Sequence, residues 1–149
     1  LWRHAWRLTG DEDAAWDVLQ EAWMAITRGI GRLEDAAAFP GWAYRIVSNK
    51  CRDRIRRERR LRQAVQDYAD QVRRPEEESS ELQGQGVDVE RALERLAGND
   101  RAILSLRYEE GFDVAEIGRI LDVPSGTVKS RLHYARKRLR TIMESTDDE

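Results

Sequence analysis

The sequence predicts an all-α chain: two small helical domains joined by a flexible linker. Three observations carry this. Prolines number only three in 149 residues and β-branched runs are few. Apolar residues recur at helical spacing in two separate blocks. Between the blocks lies an acidic stretch with few large apolar side chains, which buries too little to order itself. The expected domains are residues 1–62 and 87–143, with the linker at 63–86 and an acidic tail at 144–149.

In the first block, Trp2, Trp6 and Leu8 follow helical spacing up to the turn Thr9-Gly10-Asp11. Asp11 or Asp13 can cap the next helix, where Leu19, Trp23, Ile26 and Ile30 fall at i, i+4, i+7 and i+11 and are expected to face the core. That helix stops near Gly29 and Gly31, and Phe39-Pro40 opens a third, with proline tolerated in the first turn. Trp42, Ile46 and Val47 are expected inward, and arginines take over from Arg52. The chain opens at Leu1 in mid-helix, which implies that part of the natural N-terminus precedes it. In the second block, Val89, Leu93 and Leu96 share a face, and Ile103, Leu104, Leu106 and Tyr108 build the next helix as far as Gly111. Asp113 can cap a short helix carrying Val114, Ile117, Ile120 and Leu121; after the turn Asp122-Val123-Pro124, Ser125 caps a last helix carrying Val128, Leu132, Leu139 and Ile142.

The net charge of −2 conceals segregation. Residues 45–62 hold nine arginines and lysines against Asp53 and Glu58, and residues 119–140 hold seven against Asp122, while 64–94 and the last six residues are acidic. Two basic blocks on an acidic chain fit two contact sites for a polyanion; two solvated helix faces would look the same by charge alone. The single cysteine, Cys51, allows no internal disulfide and reads as incidental. No apolar run is long enough to span a membrane and no signal-peptide pattern is visible, so membrane insertion is not expected and the cytoplasm is the expected compartment. The two histidines, His4 and His133, lie in different blocks without metal-ligand spacing, and no serine or tyrosine sits beside a plausible base. The chain is therefore not expected to be an enzyme, nor to carry a metal or a cofactor.

The short helix, tight turn and longer basic helix near the C-terminus describe a helix-turn-helix, whose second helix enters the major groove. With about 100° per residue, Leu132, Ala135 and Leu139 stay within about 40° of Val128. Gly126, Ser130, His133 and Lys137 fall opposite, flanked by Thr127, Lys129 and Tyr134. Small residues there permit close approach, and Lys129, Ser130 and His133 offer donors to base edges or phosphates, with Arg131, Arg136 and Arg138 better placed for phosphates. In the first block, Arg45, Asn49, Lys50, Asp53, Arg54 and Arg57 can track a phosphate backbone. Trp42, Tyr44 and Phe39 lie close by, either as stacking surfaces for unpaired bases or as core. Asp17, Gln20 and Glu21 form a polar stripe expected to lie opposite Leu19, Trp23 and Ile26.

Three runs together resemble the bacterial sigma factors of the extracytoplasmic-function (ECF) group. Asp17-Val18-Leu19-Gln20-Glu21-Ala22-Trp23 is similar to their polymerase-binding motif; Phe39 to Asn49, with Asp53 and Arg56-Arg57, to their melting and promoter-reading helix; and Gly126 to Leu132, after Ala115-Glu116-Ile117-Gly118, to their C-terminal helix-turn-helix. The resemblance implies a factor that lends promoter specificity to RNA polymerase and assists promoter opening. Asp17, Gln20, Glu21 and Met24 would dock on core RNA polymerase. Asn49, Lys50, Asp53, Arg54 and Arg57 would read the minus-ten element, and Leu33–Ala38 would hold a base flipped from the opened single strand. Ser125, Thr127, Lys129, Ser130, Arg131, His133, Tyr134 and Lys137 would read the minus-thirty-five element as duplex promoter DNA. It also implies an anti-sigma protein as a partner. Where the family often has acids ahead of the docking motif, this chain has Ala14 and Trp16. The rival reading is a stand-alone helix-turn-helix regulator that never binds polymerase.

Overall fold

The computed structural model describes residues 1–69, 92–93 and 95–147, and those residues form helices and turns without a strand. Helix α1 spans Trp2–Thr9, α2 Glu12–Gly29 and α3 Phe39–Ala69. Short 3-10 turns at Ile30–Arg32 and Ala36–Ala38 bridge α2 and α3. In the second half, α4 spans Gly98–Tyr108, α5 Val114–Leu121 and α6 Ser125–Asp147. The linker expected at 63–86 is described only to residue 69, where α3 ends; the rest of it, with Val89, lies outside the described residues.

The local causes of these boundaries are those the sequence indicated. Gly10 ends α1 in the left-handed conformation, φ 72°, with its N–H on the Trp6 carbonyl. Asp11 then caps α2, its carboxylate accepting from the Ala14 N–H at 2.7 Å. Asp113 and Glu116 form a reciprocal capping box on α5. Asp122 closes α5 at φ 55°, an uncommon conformation that aspartate tolerates better than most side chains. A Cβ on Gly118 would lie 2.9 Å from the Val123 carbonyl oxygen, so the tight turn requires glycine there. Helix α6 opens at Ser125 itself, with the Pro124 carbonyl accepting from Val128 N–H, so the first turn starts one residue before a Ser125 cap would place it.

In the first half, α1, α2 and α3 pack through small residues. Ala5, Ala15, Ala22, Val18, Val47 and Cys51 make a thin core, with Trp2, Trp6 and Ile46 partly buried around it. Cys51 is thus a core residue, and burial raises its thiol pKa to about 12, which keeps it protonated and inert. The second half has larger side chains: Leu96, Ile103, Leu104, Leu106, Phe112, Ile117, Ile120, Val128 and Leu132. That core also takes in Tyr44 from α3, whose ring meets Phe112 edge-on at 5.3 Å.

The halves pack against each other where α1 meets α4 and α3 meets α5. Arg7 Nη2 lies 2.8 Å from both carboxylate oxygens of Glu109, and its Nη1 donates to the Ser105 hydroxyl. Arg52 donates to the Leu121 carbonyl at 2.6 Å, satisfying an end group of α5. A Cβ on Gly98 would collide with the Arg7 carbonyl, so only glycine lets α4 approach α1 this closely.

Two expectations about the core change. Leu19 and Ile26 are buried as expected, but Trp23 and Ile30 are 46% and 50% exposed. At about 100° per residue Trp23 lies about 40° and Ile30 about 20° beyond Leu19, at the edge of the buried stripe, which puts them on the wet side of a core built from small side chains. Tyr108, expected to help build its helix, is also exposed at the α4 end.

Candidate polymerase and nucleic-acid faces

On α6 the inward stripe is Val128, Leu132 and Ala135, each buried. Ser125, Lys129, Ser130, Arg131, His133, Tyr134 and Lys137 are exposed, and Thr127 is half-buried. The Ser130 hydroxyl donates to the Gly126 carbonyl at 3.1 Å, leaving its lone pairs outward. His133 and Tyr134 meet edge-on at 5.4 Å. Among the described residues Lys129, Arg131 and Lys137 have no ion-pair partner. The result is a cationic helix face with donors free to meet an acceptor. The α5–α6 turn faces α3 across a cleft of about 410 Å³ lined by Arg45, Gly118, Arg119, Asp122, Pro124 and Ser125.

The first half is arranged differently. Asn49, Lys50, Asp53, Arg54 and Arg57 share one side of α3, with Asp53 and Arg57 exposed. Lys50 donates to Glu21 at 3.2 Å, and Arg54 to Asp17 at 3.0 Å and to Glu58 at 2.9 Å. The Asp17 carboxylate, beside the guanidinium, holds the Arg54 pKa above its ordinary value. Asn49 accepts from Arg52. Two of the residues assigned to polymerase docking are therefore ion-paired with two assigned to minus-ten reading. Gln20 and Met24, from the same docking set, are exposed. Sequence reasoning missed this pairing, because partners 29 and 37 residues apart leave no local pattern.

Of the aromatics left open, Tyr44 is buried between the halves and Trp42 is half-buried, its ring under Gly29, whose added Cβ would meet it at 2.9 Å. The segment 33–38 is mostly exposed, with Asp35 capping its 3-10 turn through Ala37 N–H. Beneath α3, His4 is buried against Ser48 and Tyr44. The Ser48 hydroxyl donates to the Tyr44 carbonyl, so its one proton is used and His4 Nε2–H must be the donor in their 2.8 Å contact. Nδ1 is then bare and unpartnered. Burial, reinforced by nearby positive charge, lowers the His4 pKa to about 3.

Residues 1–61 match the sigma-70 region 2 family, and residues 87–139 match sigma-70 region 4. The chain is 34% identical to the ECF RNA polymerase sigma factor SigL of Mycobacterium tuberculosis over 97% of its own length and 82% of SigL. This chain belongs to the ECF sigma factors. It is also 37% identical to SigM of the same species, covering 68% of that protein. It is 32% identical to SigE of Mycolicibacterium smegmatis, of which it spans 59%. Among solved structures, the sigma factor RpoE of Bartonella quintana, in complex with the anti-sigma factor NepR, superposes with a TM-score of 0.71 at 25% identity, covering 96% of this chain and 89% of the other. Among the described residues no helix is long and apolar enough to cross a membrane.

Proposed function

We propose that this ECF sigma factor gives core RNA polymerase its promoter specificity and assists promoter opening, acting by binding alone. The exposed, unpaired cationic face of α6 carries the reading, because such a face offers Lys129, Ser130 and His133 to a duplex groove without rearrangement. Residues 1–62 form the polymerase- and minus-ten-binding domain, and 87–143 the minus-thirty-five domain. Asn49, Lys50, Asp53, Arg54 and Arg57 read the minus-ten element. Ser125, Thr127, Lys129, Ser130, Arg131, His133, Tyr134 and Lys137 read the minus-thirty-five duplex. Two DNA contacts on one chain raise each other's effective concentration, and binding of an unstacked base shifts the duplex towards the open state. An anti-sigma protein is the proposed inhibitor, supported by the likeness to a sigma factor solved with one.

Run-off transcription with core polymerase and a random promoter pool tests polymerase docking and DNA reading together. The expected result is enrichment of promoters sharing two spaced elements, lost when Lys129 and His133 are replaced by alanine. A chain that selects duplex DNA alone, and is not retained by core polymerase, would be the stand-alone regulator instead.

A further inference from the structure

Helix α3 outruns the core it belongs to. As far as Cys51 it packs inside the first half, and Arg52 reaches across to the second. From Arg56 to Ala64 every residue except Glu58 is exposed, Leu61 included at 67%. The stretch 56–64, about 13 Å long at 1.5 Å per residue, is therefore a helical arm that neither core holds.

The arm carries its charge as a stripe. At about 100° per residue, Arg56, Arg59 and Arg60 fall within a sector of about 100°. Lys50, Arg54 and Arg57 of the proposed minus-ten set are centred about 140° away round the same helix. Arg56, Arg59 and Arg60 have no ion-pair partner among the described residues. Glu58, the one acid among residues 54–66, lies on the far side, held by Arg54 at 2.9 Å and Arg62 at 3.9 Å. Like charges at i, i+3 and i+4 repel, so the stripe weakens the helix that bears it. A stripe that costs stability and meets no acid fits a polyanion. Arg45 and Arg52 continue its line backwards, but they are given to the second half: Arg52 donates to the Leu121 carbonyl, and Arg45 lines the cleft at the α5–α6 turn.

The place of the polyanion follows from chain order. Helix α3 closes the half proposed to bind the minus-ten element, and the chain beyond it leads to the half proposed to bind the minus-thirty-five element. The DNA within reach of the arm is thus the duplex between the two elements, which presents one phosphate charge per about 1.7 Å of its axis. Three guanidiniums spread over about 6 Å of helix match such a row. They pair well with phosphate oxygens, which carry no sequence information.

Resting on the promoter-binding reading above, we propose that Arg56, Arg59 and Arg60 form a separate DNA contact, to the backbone of the duplex between the two promoter elements, made without reading its bases.

The test assembles holoenzyme from core polymerase and the full chain. Fluorescence anisotropy across a potassium chloride series follows its binding to a promoter recovered from the random pool. One DNA keeps the duplex between the elements; the other ends at the upstream edge of an opened minus-ten element. The Arg56→Gln, Arg59→Gln, Arg60→Gln chain is expected to keep the parent's thermal midpoint and its retention by core polymerase. On the longer DNA its slope of log affinity against log salt should be shallower by about 2.7, about 0.9 for each lost cation, while on the shorter DNA parent and variant coincide. Lysine at the three positions should restore most of the slope, and randomising the bases between the elements should leave it unchanged. Equal slopes for parent and variant on the longer DNA overturn the proposal and leave promoter binding standing. Equal losses on both DNAs assign the three arginines to the minus-ten element and overturn it as well. So does a variant that core polymerase no longer retains, since a protein would then occupy the stripe. A parent chain that core polymerase does not retain removes the promoter-binding reading itself, and the proposal with it.

Discussion

The two halves of this sigma factor carry similar quantities of positive charge and hold the cations of their proposed DNA faces differently. On α6, Lys129, Arg131 and Lys137 stand unpaired in solvent, on a helix anchored by Val128, Leu132 and Ala135. On α3, Lys50 and Arg54 are paired with acids of α2, and Arg52 is spent on the end of α5. Beneath them the cores differ too, one built from large aliphatics and the other from alanine, valine and cysteine side chains. The second half is ready-made for a polyanion. In the first half Lys50 and Arg54 are held by acids of α2 while Arg57 stands exposed beside them, so part of the proposed minus-ten surface is masked until something else engages those acids.

The largest expected effect breaks the comparison by acid. The folded His4 pKa, about 3, lies below the ordinary 6.5, so between those values the unfolded chain binds a proton that the folded chain refuses. Stability is therefore fully present above about pH 6.5 and falls by about 1.4 kcal/mol per pH unit below it, reaching on the order of 4 kcal/mol near pH 3.5. The second half has no buried histidine among its described residues, so acid should loosen the first half first. All five tryptophans lie between Trp2 and Trp42, which makes indole fluorescence a reporter of that half alone. His4→Gln is expected to flatten the pH dependence of chemically measured stability between pH 6.5 and 4 by about one proton. Parallel curves for parent and variant would remove His4 as the cause.

A second, smaller effect sharpens the comparison at the seam between the halves. Arg7 is largely buried and pairs through Nη2 with the Glu109 carboxylate, a charge-assisted contact less exposed than an ordinary surface pair. A double-mutant cycle of Arg7→Ala and Glu109→Ala should return a coupling of about 1–2 kcal/mol in thermal or urea unfolding. Arg7→Ala should also increase the radius of gyration measured by small-angle scattering, as α1 and α4 separate. A coupling near zero with unchanged scattering would mean that Tyr44–Phe112 packing holds the seam without the ion pair.

What could be read from the sequence follows from how local each cause is. The caps at Asp11 and Asp113, the stop at Gly10 and the inward stripe of α6 depend on residues within a few positions of one another, and all were legible. The outward face of α6 followed, because Val128, Leu132 and Ala135 leave one way to seat that helix. On α2 the same method misplaced Trp23 and Ile30. That helix carries two apolar stripes side by side, and periodicity cannot say which one alanine-sized neighbours will accept. Tyr44 was undecidable for a different reason: its partner Phe112 belongs to the other half, and nothing near residue 44 announces it. The Lys50–Glu21 and Arg54–Asp17 pairs were hidden in the same way, since both partners had already been read as surface residues with separate tasks.

The smallest effect concerns those pairs and is the most direct reading of the difference between the halves. Each is an exposed ion pair, worth about 0.2–1 kcal/mol, so removing the acids should cost little stability. Freed from Asp17 and Glu21, however, Lys50 and Arg54 become available to phosphate. Each cation that engages a single strand steepens the dependence of log affinity on log salt by about 0.7. The Asp17→Asn, Glu21→Gln chain, without polymerase, is therefore expected to bind a single-stranded minus-ten oligonucleotide a few-fold more tightly than the parent at low salt, with a slope steeper by about 1.4. On the outward face of α6, where Lys129 has no ion-pair partner among the described residues, the opposite holds: Lys129→Ala should make the duplex slope shallower by about 0.9. Fluorescence anisotropy across a salt series measures both. Equal slopes for parent and the α2 variant would show that Lys50 and Arg54 reach DNA with their acids still attached, and the contrast between a guarded and an open cationic face would then rest on Arg52 alone.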